Sequence, residues 1–440
     1  MEPIQSLRGT KDVLADEINY WHFIEKKAKD LFSIANYTEI RTPILENSSL
    51  FERGIGSSTD IINKEIYSFI DKGSRNVALR PEGTASIARS FIENKLFSQK
   101  IPQKLWYSGP MFRYERPQSG RQRQFNQLGV EVLGSVNPLI DADVIQLALN
   151  LLKELGITNC GREVNSLGTL EERVKYKSDL IAYLQPYEKE LDIDSQKRLY
   201  NNPLRILDTK NLKTKDILNE APKLSNFFGI ESQTYFEELC DALNSLHIGY
   251  TVNEQLVRGL DYYNHTAFEI KSSSLGAQDT LCGGGRYDEL ISQLGGPRTP
   301  AIGWAMGIER LLLLVKDSIS LPSQYLDFYI VSENKSTKLK ALQLLQIFRN
   351  HNFKVEIDWS YSKFSKQFKR ASQNNAIGCI IIGERELQLN SFSVKWLSSK
   401  EQDSFQMSEI EKLIQKLDYY KSSYLKIIDN IDTQTLNKKF

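Results

Sequence analysis

The chain has 440 residues, with 56 Lys+Arg against 55 Asp+Glu, 40% hydrophobic and 25% charged residues. That is the composition of a globular protein of roughly three domains at about 150 residues each. Near-zero net charge excludes a general polyanion-coating protein while leaving room for a local anion site.

Taken in chain order, the opening MEPIQSLRGTKDV has no apolar signal core, and runs such as LLLLV fall far short of the ~20 apolar residues of a membrane span. From Tyr20 to about Ala35 apolar residues recur at helical spacing, after which YTEIRTPIL turns extended and meets Pro43. LRPEGTASIAR places Glu82 and Thr84 on a short turn before a helix. Two strand-like runs, KLWYSGPMFRYE and QRQFNQLGVEVLG, flank FRYERPQSGRQRQF, in which Pro117, Ser119 and Gly120 supply turn chemistry among four arginines. DADVIQLALNLLKELG reads as a helix with acidic residues in its first turn and Gly156 at its end. From about Leu170 to Tyr250 the text is Lys/Glu-rich and helix-patterned, broken at NNPLRILD and EAPKL, as in an inserted helical module. Strand texture returns with AFEI, followed by a turn at CGGGRYDEL and a helix beginning near AIGWAMGIERLLLLV. After Leu321-Pro322, LDFYIVS, KVEIDW, GCIIIG and SFSVKW combine with helical patterns at 336–350, 363–376 and 407–417, which predicts a separate βαβ domain on a mostly parallel sheet.

Strand alternation carries the first chemical argument. Phe125, Gln127, Gly129 and Glu131 share one face of the second hairpin arm, while Leu128, Val130 and Val132 take the other; Met111, Arg113 and Glu115 alternate on the first arm. One reading is an ordinary solvated hairpin face. The other is a sheet flooring a pocket for an anionic, base-containing ligand, with guanidinium forks for phosphate and an aromatic plane for a purine. LVRGLDYYNHTAFEI sets Arg258 beside Gly259, ahead of Asp261, Tyr262 and Tyr263, and CGGGRYDEL brings three glycines against Arg286 and Tyr287, so backbone can approach a ligand closely. No Gly-Lys-Ser/Thr follows any of these glycines, so a P-loop is not predicted. Cys160, Cys240, Cys282 and Cys379 are scattered without a CxxC, which argues against a zinc site or disulfide framework and fits a reducing compartment. The four histidines, His22, His247, His265 and His351, lack ligand spacing. A site rich in Arg and Glu without a protein nucleophile suits phosphoryl-side chemistry done by positioning and by charge neutralisation with Arg and Mg²⁺.

LRGTKDVL, the helix and strand ending at Pro43, RPEGT, FRYERPQSGRQRQF, LVRGLDYYN, GGGRYD and AIGWAMGIERL together resemble the class II aminoacyl-tRNA synthetases, and within class IIa the histidyl-tRNA synthetase family. The middle glycine of that class's third motif is Ala305 here. The resemblance implies an α/β (α+β) protein: a catalytic domain on an antiparallel sheet at 1–168 and 251–320, a helical insertion at 169–250 and an α/β anticodon-binding domain at 323–425. It implies activation of L-histidine by ATP with Mg²⁺, transfer to the 3′ end of tRNA(His), a homodimer, a cytoplasmic location and no membrane partner. By the same resemblance Arg258 and Arg113 are catalytic. Arg113 would hold the α-phosphate and Arg121 the outer phosphates of ATP, with Glu115 in the same site and adenine between Phe125 and Arg310. Glu82, Thr84 and Gln127 would receive the α-amino group of histidine, Glu131 and Tyr263 would flank its imidazole, and Tyr262 and Tyr287 would complete the pocket. Arg116, Gln118 and Arg123 at the hairpin tip would meet the acceptor end of tRNA. In the C-terminal domain, YSKFSKQFKRASQ would present Lys363, Lys366, Lys369 and Arg370 to the anticodon arm. The alternative is a catalytically silent paralogue that regulates ATP phosphoribosyltransferase; such relatives lack the C-terminal domain and lose active-site residues.

Overall fold

The computed structural model describes residues 3–56, 59–276, 279–321 and 325–417. The chain divides into two compact units, Met1–Ile319 and Ser320–Phe440. Pro322 and the expected limits of the C-terminal domain, 323 and 425, lie outside the described residues.

The first unit begins with α1 (Ala15–Ile34), β1 (Thr38–Glu39), β2 (Leu45–Asn47), α2 (Ser48–Ile55), β3 (Tyr67–Ile70), β4 (Asn76–Leu79) and α3 (Thr84–Glu93). The hairpin follows as β5 (Gln103–Phe112) and β6 (Gln124–Leu133), then α4 (Pro138–Glu154) and β7 (Gly161–Ser166). Next come α5 (Leu170–Leu184), α6 (Ile193–Arg198), α7 (Leu212–Leu218), α8 (Ile230–Ser245) and β8 (Thr251–Val252). The unit closes with β9 (Asn264–Lys271), β10 (Thr280–Arg286), α9 (Leu290–Gln293), β11 (Ala301–Gly307) and α10 (Ile308–Ser318). Eight strands form one sheet in the order β1-β5-β6-β11-β10-β9-β7-β8. Every pairing from β5 to β7 is antiparallel, and the two end strands β1 and β8 pair in parallel. In the hairpin, Trp106 opposes Val130 and Met111 opposes Phe125.

Helix α1 buries Trp21, Ile24, Ala28 and Phe32, the i, i+3, i+7 and i+11 positions of one stripe. Helix α4 starts at Asn137, whose side chain accepts from the Leu139 amide, with Pro138 in the first turn, and the chain leaves it at Gly156 with φ +74°. Both helices pack with α10 over Leu128, Val130 and Val132 of β6 and Trp304 of β11 in the main core.

Two expectations about the glycine-rich stretch are corrected. TLCGGGR is the interior strand β10 and not a turn, and AIGWAMG is strand β11, so the helix starts at Ile308. Crowding explains the glycines: a Cβ on Gly284 would stand 2.6 Å from Trp304 Cβ and 2.7 Å from Phe268 Cζ, and one on Gly283 would run into the Arg258 guanidinium. Between β7 and β8 the described chain is helical, but its parts belong to two cores. Tyr176, Leu180, Leu184, Leu199, Ile206 and Leu218 join a cluster with Tyr107, Tyr262, Tyr263 and Tyr287. Helix α8 instead packs on α4 and sends Leu239 and Leu243 into the main core.

The second unit contains β12 (Leu326–Ser332), α11 (Lys335–Asn350), β13 (Val355–Ile357), α12 (Phe364–Gln373), β14 (Ala376–Ile382), α13 (Glu384–Gln388), β15 (Ser391–Trp396) and β16 (Gln402–Gln406). Its sheet order is β13-β12-β14-β15-β16. The expected mostly parallel sheet is half so: β12 pairs in parallel with β13 and β14, while β14-β15-β16 is antiparallel. The link from β14 to β15 carries only the five-residue α13, shorter than the dozen or so residues a parallel crossover needs. On α12, Lys363, Lys366 and Lys369 are exposed. Arg370 departs from that face: it donates to Asp358 Oδ2 and Ser360 Oγ, each at 2.7 Å, because the buried Asp358 carboxylate needs a counter-charge.

Replacing Gly284 by Ala tests the strand reading of the glycine run. The added methyl overpacks a closed strand pair, so the unfolding free energy in urea should fall by about 2 kcal/mol or more. An unchanged or raised transition midpoint would show that β10 has room there.

Candidate active site

A cavity of about 790 Å³ opens against the eight-stranded sheet, a size suited to a nucleotide-sized ligand. Its walls are the hairpin, the start of α3, the loop before β9, the strands β9 to β11 and the first turn of α10. Of the residues expected at the site, Glu82, Thr84, Gln127, Arg258, Tyr262, Tyr263 and Tyr287 line this cavity. Arg113, Glu115, Arg121, Phe125 and Arg310 line it as well.

At the inner end sit carboxylates and phenols. Glu82, 3% exposed, accepts from the Thr84 and Ala85 amides at 2.6 and 2.8 Å and so caps the first turn of α3. Gln127 has an Oε1 that is closed to solvent and has no hydrogen-bond partner among the described residues, an acceptor left with unused capacity. Glu131 departs from the expected place at the pocket wall. It is 1% exposed and lies behind the lining, accepting from Thr84 Oγ1 at 2.7 Å and from the Tyr287 hydroxyl. The Tyr262 ring is tilted against Tyr263 and meets Tyr287 edge-on, with ring centroids 4.7 and 5.6 Å away.

At the outer end stand the arginines. Arg113 donates through Nε to the Pro81 carbonyl at 2.9 Å, with its guanidinium 5.3 Å from the centre of the Phe125 ring. Arg121 is paired with Glu115 at 2.8 Å. Arg310 donates to the Thr280 carbonyl; burial lowers its pKa, and the neighbouring Arg121 and Arg113 add to that. Arg258 is ion-paired with Glu269; burial opposes its charge, and Glu269 together with Tyr263 and Cys282 overcomes that and holds its pKa up. These cations are pinned in place before any ligand arrives.

The hairpin tip is divided. Arg116 and Gln118 are exposed, the latter in a two-way backbone bridge with Arg121. Arg123 is half-buried: its guanidinium lies 3.8 Å from the ring centre of the exposed Tyr114, and its amide donates to the Gly9 carbonyl. Stacking on an aromatic face outcompetes free solvation for a guanidinium so placed. Arg286, next to the three glycines, is fully buried away from the cavity, bonded to Asp141 and Asp288. Burial works against its charge, and Asp141 and Asp288 outweigh that and push its pKa up.

Several lining residues escaped sequence reasoning. Glu269 was findable, since alternation along β9 puts it on the face opposite Phe268 and Ile270. Glu309 accepts from the Asn126 amide through both carboxylate oxygens, at 2.9 and 3.0 Å, and so anchors β6 between Phe125 and Gln127. Arg205, Lys210 and Lys215 reach the cavity from the helical segment and carry no local signal for it.

With this geometry in view, comparison with known proteins decides the family. Residues 9–311 match the family model described as histidyl-tRNA synthetase, and residues 327–417 match that of an anticodon binding domain. The chain belongs to the histidyl-tRNA synthetase family. It is 54% identical over 416 residues to the chloroplastic histidine–tRNA ligase of Gracilaria tenuistipitata, covering 94% of this chain and 99% of that one. The histidine–tRNA ligase of Synechocystis is 50% identical over 434 residues, 98% of this chain and 97% of that one. The solved apo histidyl-tRNA synthetase of S. aureus superposes with a TM-score of 0.78 at 36% identity, covering 95% of this chain and all of that one. Within the family's fold, the second unit here is an α/β anticodon-binding domain with its own sheet.

No group of three His, Cys, Asp or Glu side chains is arranged to hold a metal ion among the described residues, and Glu115 and Glu269 are already engaged by Arg121 and Arg258.

Burial pushes the Glu131 carboxyl up to about 8, against the opposing hydrogen bonds from Tyr287 and Thr84 and with a further push from Glu82. Between its unfolded value of 4.5 and about 8, the folded chain therefore holds a proton that the unfolded chain releases. Stability is lost as pH rises through that window, by up to about 1.4 kcal/mol per pH unit from this group. Urea unfolding from pH 5 to 8 should show the wild type losing stability relative to Glu131→Gln. Parallel profiles for the two proteins would rule the assignment out.

Proposed function

We propose that this cavity joins L-histidine to ATP and passes the histidyl group to the 3′ end of tRNA(His), the histidine–tRNA ligase reaction. The observation that carries the reading is the meeting, in one cavity, of five arginines with an unpartnered amide oxygen and a carboxylate–phenol wall. ATP enters with Mg²⁺ as its counter-ion. Adenine lies at Phe125 and Arg310, the α-phosphate at Arg113 and the outer phosphates at Arg121, whose pairing with Glu115 keeps its fork oriented. The α-ammonium group of histidine takes the Gln127 oxygen, with Glu82 and Thr84 beside it. The imidazole reaches the Tyr263 and Tyr287 end, where the Tyr287 hydroxyl is held by the buried Glu131 carboxyl behind it.

The chemistry then needs no protein nucleophile. A carboxylate oxygen of histidine attacks the α-phosphorus, the bond to the bridging oxygen breaks, and pyrophosphate leaves. Arg258 and Arg113 neutralise the charge that builds on the α-phosphoryl oxygens. In the second step a terminal hydroxyl of tRNA attacks the histidyl carbonyl, loses its proton and expels AMP. Arg116 and Gln118 at the exposed tip are proposed to meet the acceptor end, and the exposed lysines of α12 the anticodon arm. Imidazole selectivity follows from polar groups that an analogue lacking a ring nitrogen would leave unpaired in a buried site.

A homodimer is also proposed, supported by exposed apolar side chains on the three-stranded sheet, Leu45, Phe69 and Ile70 among them. No helix of the described residues is long and apolar enough to cross a membrane. The compartment is proposed to be reducing, cytoplasmic in the simplest case; several relatives are named as chloroplastic. The regulatory-paralogue reading is not favoured: the relatives at about half identity over nearly the whole chain are histidine–tRNA ligases, and the anticodon domain is present.

Purified protein should catalyse histidine-dependent exchange of pyrophosphate into ATP, and a folded protein without exchange above background would refute the enzyme reading. Arg258→Ala should lower adenylate formation about a hundredfold or more while ATP affinity changes less than about threefold. Equal losses in both would move Arg258 out of the chemical step.

A further inference from the structure

Arg258, Tyr262 and Tyr263 sit on a connection that is neither helix nor strand, running from the end of β8 to the start of β9. Its conformation therefore depends on what grips it from outside. On one side the Asp261 amide donates to the Ile55 carbonyl at 3.1 Å. On β7, Asn165 donates through Nδ2 to the Leu256 carbonyl at 3.0 Å. Further grips, nearer the tyrosines, come from the helical segment between β7 and β8, from three separate places. Arg173 on α5 donates through Nη1 to the backbone carbonyl of Tyr263. Asn202 donates through Nδ2 to Asp261 Oδ1 at 3.1 Å. Arg205, on the 3₁₀ turn Pro203–Ile206, brings its guanidinium nitrogens to 3.7 and 3.9 Å from the position a Cβ on Gly259 would occupy.

Of these, Arg173 is the costly one. Burial lowers its pKa, opposed only by the nearby Asp261, and no ion pair joins it to a carboxylate among the described residues. Its Nε is closed to solvent and unpartnered. It also stands in the first turn of α5, where the positive end of the helix dipole disfavours a cation. A side chain of similar length without charge would fill the space at less cost. The helix that carries it is firmly held: Thr169 and Glu172 form a capping box, and Glu172 also accepts from the Gly229 amide and Ser232 Oγ, each at 2.7 Å. A rigid helix thus delivers a desolvated guanidinium to one peptide oxygen, that of the residue walling the amino-acid pocket.

We propose that Arg173 is a positioning residue for histidine, and that through it the helical insertion forms part of the amino-acid site. The inference rests on the ligase reading above. Holding the Tyr263 peptide sets that ring between Tyr262 and the Arg258 guanidinium, whose carbon lies 5.7 Å from the Tyr263 ring centre. Arg258 itself has a second support in Glu269, and the ATP residues on the hairpin and α10 make no contact with Arg173. Loss of the Arg173 bond therefore loosens the histidine end and leaves the nucleotide end in place.

The test is pyrophosphate exchange with Arg173→Met and Arg173→Lys, reading KM for histidine and for ATP separately, with the thermal midpoint as a folding control. Arg173→Met should raise KM for histidine about tenfold or more while KM for ATP stays within about twofold. Arg173→Lys, which keeps one donor for the single carbonyl, should fall between that variant and the wild type. A histidine KM within twofold of wild type, both KM values rising together, or a lysine variant no better than methionine would each overturn the proposal. If Arg173→Met does not fold, Asn202→Ala decides with Arg173→Lys: a selective rise in histidine KM supports the clamp, and no rise overturns it. Absence of exchange in the wild type would remove the ligase reading itself, whereas an active wild type with indifferent variants removes this inference alone.

Discussion

Arg286 and Asp141 form an ion pair in which neither side chain has any solvent exposure, joined through Nη2 to Oδ1 at 2.6 Å and through Nε to Oδ2 at 3.3 Å. An isolated charge so placed would be prohibitive, and the pair survives because its spare hydrogen-bonding capacity is taken up. Asp141 also accepts from Thr266 Oγ1 and Tyr235 Oη, and Arg286 also donates to the Ser135 carbonyl and Asp288. Those partners lie on α4, α8, β9 and the ends of β6 and β10, so one network fixes how the sheet and its helices meet. The residue after Arg286 then emerges on the opposite face. Tyr287 reaches Glu131, and Glu131 reaches Thr84 at the start of α3. The inner wall of the active site is in this sense the far end of a core ion pair.

The outer wall obeys a related rule. Every arginine expected at the phosphates or the adenine is restrained by a carbonyl, a carboxylate or an aromatic ring: Arg113 by Pro81 and Phe125, Arg121 by Glu115, Arg258 by Glu269, Arg310 by Thr280. Restraint of this kind leaves little reorganisation for the reacting state. The glycines complete it by omission, since side chains on Gly283 or Gly284 would fill the ground that Arg258 and the paired strands occupy. The helical insertion adds a third wall, with a core continuous with the tyrosines at the inner end of the cavity.

Much of the candidate site was legible in sequence because it lies on strands with one buried face. Alternation on β6 separated Gln127 and Glu131 from Leu128, Val130 and Val132, and the same count on β9 would have found Glu269. The errors have a common origin. Three consecutive glycines carry turn propensity, yet crowding from neighbouring strands made them a strand interior. Arg123 and Arg370 each look like free members of a basic face, and each is engaged, the one by a ring and the other by a buried carboxylate. Helix α8 has the texture of the insertion but faces α4.

By itself the sequence determined the period of each strand and helix, the turn of the hairpin and the order of the motifs, because these are properties of residues a few positions apart. Only the tertiary structure decided which charges are paired. Asp141 and Arg286 are 145 positions apart, Asn126 and Glu309 183, and Arg173 and Tyr263 90. Burial sets the strength of such pairs, and burial is a property of the assembled layers, so no local pattern announces whether an arginine will bind a ligand, a carboxylate or a peptide oxygen.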